Sequence, residues 1–218
     1  GDVYKRQTKH ILKYLTMCGR IDIQPNNINE AVKAGFGVDW DTKENRDLRP
    51  TQLVDALLST PTSFVQTSLQ WGIKPSWSKQ LLINAQAETV AIKQTFRDSF
   101  ESRRCVIPCS GWYEWKIFEE SGQKQKFRFH APDESPLFMA GIWFVESATP
   151  SQLVTLTTHS NPQCEQIHHR MPLLLQSTQV PRWLTDPPSG LERLLRAPDL
   201  PLSLTPEEPP PAQQTSLF

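Results

Sequence analysis

The chain has no charge of one sign in excess, few cysteines and no long apolar run, and each shortage excludes a class of protein. Lys and Arg number 23, as do Asp and Glu, so the formal net charge over 218 residues is zero. No bulk basic field draws in nucleic acid, and any such site must be a local patch. The four cysteines are Cys18, Cys105, Cys109 and Cys164. Without a secretory signal they do not make a disulfide framework. Gly1–Thr16 is basic (Lys5, Arg6, Lys9, Lys13) and too short and charged for a secretory apolar region. The longest apolar run, near Leu137 to Val145, is too short to cross a bilayer. Cys105-x3-Cys109 and Cys164-x3-His168 are too loosely spaced for a zinc site. Buried, inert thiols explain Cys105 and Cys109 better, so neither metal nor cofactor is expected. No internal repeat is apparent.

What is present is 19 Pro, 7 Trp and a succession of short strand-like runs. Ser63–Trp71, Arg104–Ile107, Gly111–Ile117, Lys126–His130, Phe138–Phe144 and Leu153–Thr158 read as strands. Helices are expected at Ile28–Ala34, Thr95–Ser102, Pro181–Thr185 and Gly190–Leu195. Strands without a βαβ rhythm predict an α+β domain with a curved, mainly antiparallel, barrel-like sheet and flanking helices. Residues 1–17 are expected to be a leader, either a gene-model artefact or a propeptide, and residues 18–196 the domain. Residues 197–218, rich in proline, are expected to be a disordered tail.

Met17-Cys18-Gly19-Arg20 carries the most chemistry. If Met17 is an initiator that is removed, Cys18 becomes N-terminal, with an amine of pKa about 7.7–8.0 beside a thiol of about 8.5. An aldehyde condensed on that amine can be closed by the thiol into a five-membered thiazolidine, with a large proximity advantage. Trp71-Gly-Ile-Lys-Pro-Ser-Trp77 reads as a packed turn or as a stacking platform for a base. Asn84-Ala-Gln-Ala-Glu-Thr89 is by itself only a polar loop before a helix. Glu114, among the aromatics of Gly111–Trp115, is either an outward strand residue or a desolvated acid with a raised pKa. In His168-His-Arg-Met-Pro172, His168 could shuttle protons and Arg170 could hold a phosphate.

Taken in order, these blocks resemble the SRAP (SOS response-associated peptidase) family. The matching pieces are Met-Cys-Gly-Arg at 17–20, Arg-Pro-Thr-Gln at 49–52, Trp-Gly-x-x-Pro-x-Trp at 71–77 and Asn-Ala-x-Ala-Glu-Thr at 84–89. They continue with Arg-Cys-x-x-Pro at 104–108, Gly-Trp-Tyr-Glu-Trp at 111–115, Ala-Gly-Ile-Trp at 140–143, Leu-Thr-Thr at 156–158 and His-x-Arg-Met-Pro at 168–172. The resemblance implies recognition of abasic sites in single-stranded DNA and a covalent thiazolidine crosslink through Cys18 that shields the lesion in the SOS response. It implies that Asn84 positions the terminus and the sugar, and that Glu114 and His168 are the acid/base pair. It further implies autoproteolytic exposure of Cys18 where residues precede it.

Arg20 and Arg170 could hold phosphates, with Thr157 as a neutral donor, and Trp71 could stack on a neighbouring base. Gln86 stands where the family usually has a phosphate-contacting Arg, and Asn45–Arg49 also departs from the family pattern. The ending Gln214-Thr215-Ser216-Leu217-Phe218 resembles the bacterial sliding-clamp-binding peptide, through Gln214, Ser216, Leu217 and Phe218. A monomer in the bacterial cytoplasm, at the nucleoid and replication fork, is expected. A cysteine peptidase acting on other proteins and a non-covalent single-stranded-DNA binder are the alternatives.

Overall fold

The computed structural model describes residues 19–118, 121–145 and 150–207. The strands are β1 (Ile21–Ile23), β2 (Asn45–Leu48), β3 (Leu53–Ser59), β4 (Phe64–Trp71), β5 (Asn84–Gln86), β6 (Arg104–Cys109), β7 (Gly111–Ile117), β8 (Lys124–His130), β9 (Leu137–Phe144), β10 (Gln152–His159), β11 (Arg170–Pro172), β12 (Leu174–Leu175) and β13 (Ser203–Pro206). The helices are α1 (Pro25–Phe36), α2 (Gln94–Ser102), α3 (Pro162–Glu165) and α4 (Val180–Thr185). This is the expected α+β class, with sheets dominating and pairing mainly antiparallel.

Two sheets build the domain. One has the order β13-β8-β7-β1-β2. In the other, β10, β4, β3, β6 and β9 are neighbours in turn, and β9 pairs back onto β10, which closes a ring. The parallel junctions are β10 with β4 and β10 with β5. Closure leaves those ring strands without a free edge, and side chains from both of their faces enter the core, Ile107, Met139 and Leu153 on one face and Leu57 and Ile142 on the other, all fully buried. Glycine is required inside the ring at Gly141, where a Cβ would lie 2.9 Å from both Cys105 Sγ and Ile107 Cδ1.

The helices cover the ring by ordinary rules. α1 starts on Pro25 in its first turn, buries Ile28 and Val32 four residues apart, and stops at Gly37, whose φ is 71°. α2 buries Phe96, Ser99 and Phe100 on one face. Arg104, at the start of β6, ties two helix ends together. Its guanidinium donates to the carbonyls of Phe100 (2.6 Å), Glu101 (2.9 Å), Trp183 (2.5 Å) and Asp186 (2.6 Å). It thereby satisfies terminal carbonyls that a helix cannot satisfy itself.

The structure adds strands that the sequence reading does not name, Leu53–Ser59 the longest of them, and departs from it in two further places. Gly190–Leu195 is not one helix: Pro188–Gly190 and Glu192–Leu194 are separate 3₁₀ turns. The stretch read as a tail from residue 197 contains β13, which pairs with β8 from Ser203↔His130 to Pro206↔Phe127. Proline had argued against a regular element here, but an edge strand tolerates Pro206 because its outer side has no ladder to feed. His130 Nε2 and Thr205 Oγ1, 3.0 Å apart, fasten this edge. No helix among the described residues is long and apolar enough to cross a membrane.

Candidate active site

Cys18 lies outside the described residues, as do Gln214, Ser216, Leu217 and Phe218. The described chain opens at the buried Gly19 and enters β1 alongside β7, with Ile21 opposite Trp112 and Asp22 opposite Gly111. The Tyr113 N–H donates to the Arg20 carbonyl at 3.0 Å, which continues this register and sets Gly19 level with Glu114. The close approach of β8 on the other side requires glycine at 111, where a Cβ would stand 2.3 Å from the Phe129 carbonyl oxygen.

The two-residue alternation of β7 decides which side chains face inward. Trp112 stacks on Phe129 with centroids 4.8 Å apart. Glu114, on the same face of the strand, is only 2% exposed. The alternative that Glu114 is an ordinary outward-facing strand residue is thus overturned. Its carboxylate acts on the Cys164 thiol, which is pushed up to about 12, first by burial and then by that charge. Cys109 is likewise raised to about 12 by burial, and burial raises Cys105 as well. All three thiols are buried and remain protonated at neutral pH, as expected for Cys105 and Cys109.

Cys164 leads on to His168. The Asn161 side chain caps α3 by accepting from the Cys164 N–H at 2.8 Å, and the His168 N–H donates to the Cys164 carbonyl at 2.9 Å. His168 Nδ1 lies 3.1 Å from both the amide nitrogen and the carbonyl oxygen of Arg170, accepting from the first in one tautomer and donating to the second in the other. That Nε2 is buried and has no hydrogen-bond partner among the described residues. Burial is the first cause lowering the His168 pKa, with the cationic Arg170 nearby acting in the same direction. The neutral imidazole therefore presents at its unpartnered Nε2 a donor in the first of these tautomers and an acceptor in the second.

Arg170 does not reach out for phosphate. Its guanidinium is 5% exposed and makes a two-pronged pair with Glu88, Nη1 to Oε1 and Nη2 to Oε2, both at 2.8 Å. Nη2 also donates to the Thr157 carbonyl at 2.7 Å and to Thr157 Oγ1 at 3.3 Å, and Thr157 is itself fully buried. Burial alone would raise the Glu88 pKa, but hydrogen bonds from Arg170 outweigh it and hold the carboxyl at about 2. Glu88 therefore stays ionised at neutral pH, and its pairing with Arg170 joins the segment carrying His168 to the strand carrying Asn84. Asn84 sits opposite Thr155 on β10, and Thr155 Oγ1 donates to its Oδ1, so the Nδ2 end is its donor end. Gln86, two residues on, is exposed.

Two further expectations meet the geometry differently. Trp71 is fully buried and donates from Nε1 to the Ile83 carbonyl at 3.0 Å, which leaves no ring face for a base. Trp77, at the other end of the same block, is 68% exposed and lines a cavity of about 360 Å³ with Lys74, Pro75 and Phe144. Arg20 is half-buried. Its Nη1 reaches Asp47 at 2.6 and 2.7 Å, and its Cζ lies 5.7 Å from the Trp115 ring centre. Burial would raise the Asp47 pKa, yet hydrogen bonds from Arg49 and Arg20 hold it low.

Glu88, Asp47 and Trp77 were thus not singled out from sequence. A signal existed for Glu88: Ala85 and Ala87 alternate as small buried residues, which puts Gln86 and Glu88 together on the other face. Among the described residues no cluster of His, Cys, Asp or Glu could hold a metal ion.

Residues 17–206 match the family model described as SOS response associated peptidase (SRAP). The Bacillus subtilis protein named abasic site processing protein YoqW is 29% identical over 192 residues, covering 78% of this chain and 83% of that protein. The Escherichia coli protein named abasic site processing protein YedK is 32% identical over 126 residues, covering 56% of each. Among solved structures, a phage-related protein of Bordetella bronchiseptica superposes with a TM-score of 0.75 at 22% identity, over 88% of this chain and 95% of that one. A Bacteroides thetaiotaomicron protein gives 0.66 at 20% identity over 89% and 91%. These two likenesses concern the fold alone.

Proposed function

The chain belongs to the SOS response associated peptidase (SRAP) family, and from that premise we propose that it processes abasic sites in single-stranded DNA by linking itself to them through Cys18. The observation that carries this reading is a carboxyl side chain, Glu114, buried level with Gly19, one residue along from Cys18. The names of the curated relatives support the choice of lesion. The inertness of Cys105, Cys109 and Cys164 leaves Cys18 as the thiol able to react.

The chemistry runs as follows. The ring-opened sugar offers an aldehyde, and the α-amine of Cys18 adds to its carbon. The resulting carbinolamine loses water, for which Glu114 supplies the proton, and an imine forms. The Cys18 sulfur then adds to the imine carbon, the nitrogen takes up a proton, and the thiazolidine closes. His168, neutral with its hydrogen on Nε2, donates a hydrogen bond to the sugar oxygen, and the donor end of Asn84 holds the terminus. The Glu88–Arg170 pair positions His168 and takes no part in holding phosphate. Where residues precede Cys18, the peptide bond before it must first be cut to free the amine.

A denaturing gel tests this directly. Protein beginning at Cys18, incubated with single-stranded DNA carrying one abasic site, is expected to give a heat-stable shifted band that Cys18→Ala lacks. A band that persists in Cys18→Ala, or no band from either protein, would refute covalent capture through this residue. The full 218-residue chain in a third lane, with mass spectrometry of its N-terminus, reports whether it frees Cys18 itself.

Trp77 takes the role first given to Trp71, as the face on which a base beside the lesion stacks. Trp77→Ala is expected to weaken binding to unmodified single strands by about 1–3 kcal/mol, roughly 5- to 150-fold. Fluorescence anisotropy measures this, and an unchanged affinity excludes the stack. Trp71→Ala, by contrast, is expected to lower stability.

A further inference from the structure

The hairpin of β7 and β8 turns a second face to the surface, opposite the one that carries Glu114. Trp115 stands directly across from Lys126, and Ile117 across from Lys124. Three cations surround the Trp115 ring: Lys124 Nζ at 5.1 Å from its centre, Arg20 Cζ at 5.7 Å and Lys126 Nζ at 6.0 Å. Lys126 Nζ also lies 3.7 Å from the centre of the Tyr113 ring.

The two kinds of cation on this face differ in their partners. Arg20 is neutralised by Asp47. Among the described residues, neither Lys124 nor Lys126 has a carboxylate within ion-pair distance. The acid at this edge, Glu207, bonds through its backbone N–H to the Lys126 carbonyl and pairs with neither lysine. Ile117 and Phe118 are exposed beside them. In a chain of zero net charge, two cations without an ion-pair partner among the described residues, set around the half-buried Trp115, are the kind of local patch that a nucleic-acid strand requires.

We propose that this outer face of the β7–β8 hairpin is a second DNA-contact surface, on which Lys124 and Lys126 hold two phosphates of the single strand flanking the lesion while Trp115 supports the sugar or base between them. The inference rests on the proposed single-stranded-DNA substrate. Its geometry is continuous with that site, because Arg20 borders Gly19 on one side and the Trp115 ring on the other. The contact is sequence-independent, and it serves retention of the strand rather than bond formation, since it lies across the sheet from Glu114.

The test is the double substitution Lys124→Gln with Lys126→Gln, both at accessible positions. Affinity for an unmodified single strand would be followed by anisotropy from low to moderate salt. Loss of two phosphate contacts is expected to flatten the slope of log affinity against log salt by about 1.4. At saturating DNA the rate of crosslinking to an abasic strand should stay at the wild-type value. An unchanged salt slope overturns the proposal, as does a slowed crosslinking rate at saturation, which would place the lysines within the chemistry. If the wild-type protein does not crosslink at all, the reading of the active site fails, while the salt slope still reports on this face.

Discussion

Glu114→Gln is expected to slow crosslink formation by about 10²- to 10⁴-fold, the usual contribution of a positioned acid/base group. The substitution keeps the shape and hydrogen-bonding capacity of the side chain but removes the transferable proton. Thermal stability and affinity for an undamaged single strand should therefore stay close to wild type. A crosslinking rate within twofold of wild type, measured by quenched gel shift, would remove Glu114 from the mechanism. The pH profile separates Glu114 from His168. Burial holds the His168 pKa below its ordinary value, near 6.5 in model peptides, so its ring is neutral across neutral pH and should add no inflection there. The sign for stability follows from the same shift. As pH falls, the unfolded chain takes up this proton first, so the stability derived from a neutral buried ring is present above about pH 6.5. It is lost as pH falls from there towards the folded value.

The largest loss of stability is expected from Arg104→Leu, far from the chemistry. The substitution leaves the carbonyls of Phe100, Glu101, Trp183 and Asp186 without their shared donor. Hydrogen bonds from a charged donor are worth about 1.5–3 kcal/mol each, and a buried acceptor left unpaired costs about 1–3 kcal/mol. The contributions overlap, because one side chain makes all four bonds, so a total loss of about 3–5 kcal/mol is expected. Urea denaturation reads it as a lower midpoint with an unchanged slope. A loss under about 1 kcal/mol would mean that water or a local shift satisfies those carbonyls. Arg104→Lys should recover little, because an ammonium cannot reach two helix ends at once.

The sequence showed most clearly what depends on local pattern. The run Gly111–Ile117 was read as a strand with the bounds it has in the fold, and α2 within one residue. Both carry their period in their own side chains. β3 was not foreseen, because Leu53–Ser59 does not alternate apolar with polar residues, nor were the short strands β1, β2, β5, β11 and β12, because two to four residues hold no period and their conformation is imposed by neighbours such as β7 and β10. The same limit explains Trp71 and Trp77. Both lie in one aromatic block, and only the pairing of β4 with β3 and β10 decides that the first is enclosed. Arg170 could be recognised as a cation but not as a partner of Glu88, 82 positions away in the chain. Glu114 was the reverse case, since its aromatic neighbours already suggested the low-dielectric setting that the fold provides.

The pairing of β13 with β8 has a mechanical consequence for whatever the last residues of the chain hold. Gln125 Nε2 donates to the Glu207 carbonyl at 2.6 Å and the Glu207 N–H to Lys126, so the polypeptide is clamped to the hairpin up to that point. From there 11 residues of the given sequence follow, to Phe218, a contour of at most roughly 36–40 Å. A partner gripping Phe218 would therefore stand no farther than that from Glu207. Unfastening β13 would raise this ceiling at once by the length of its four residues.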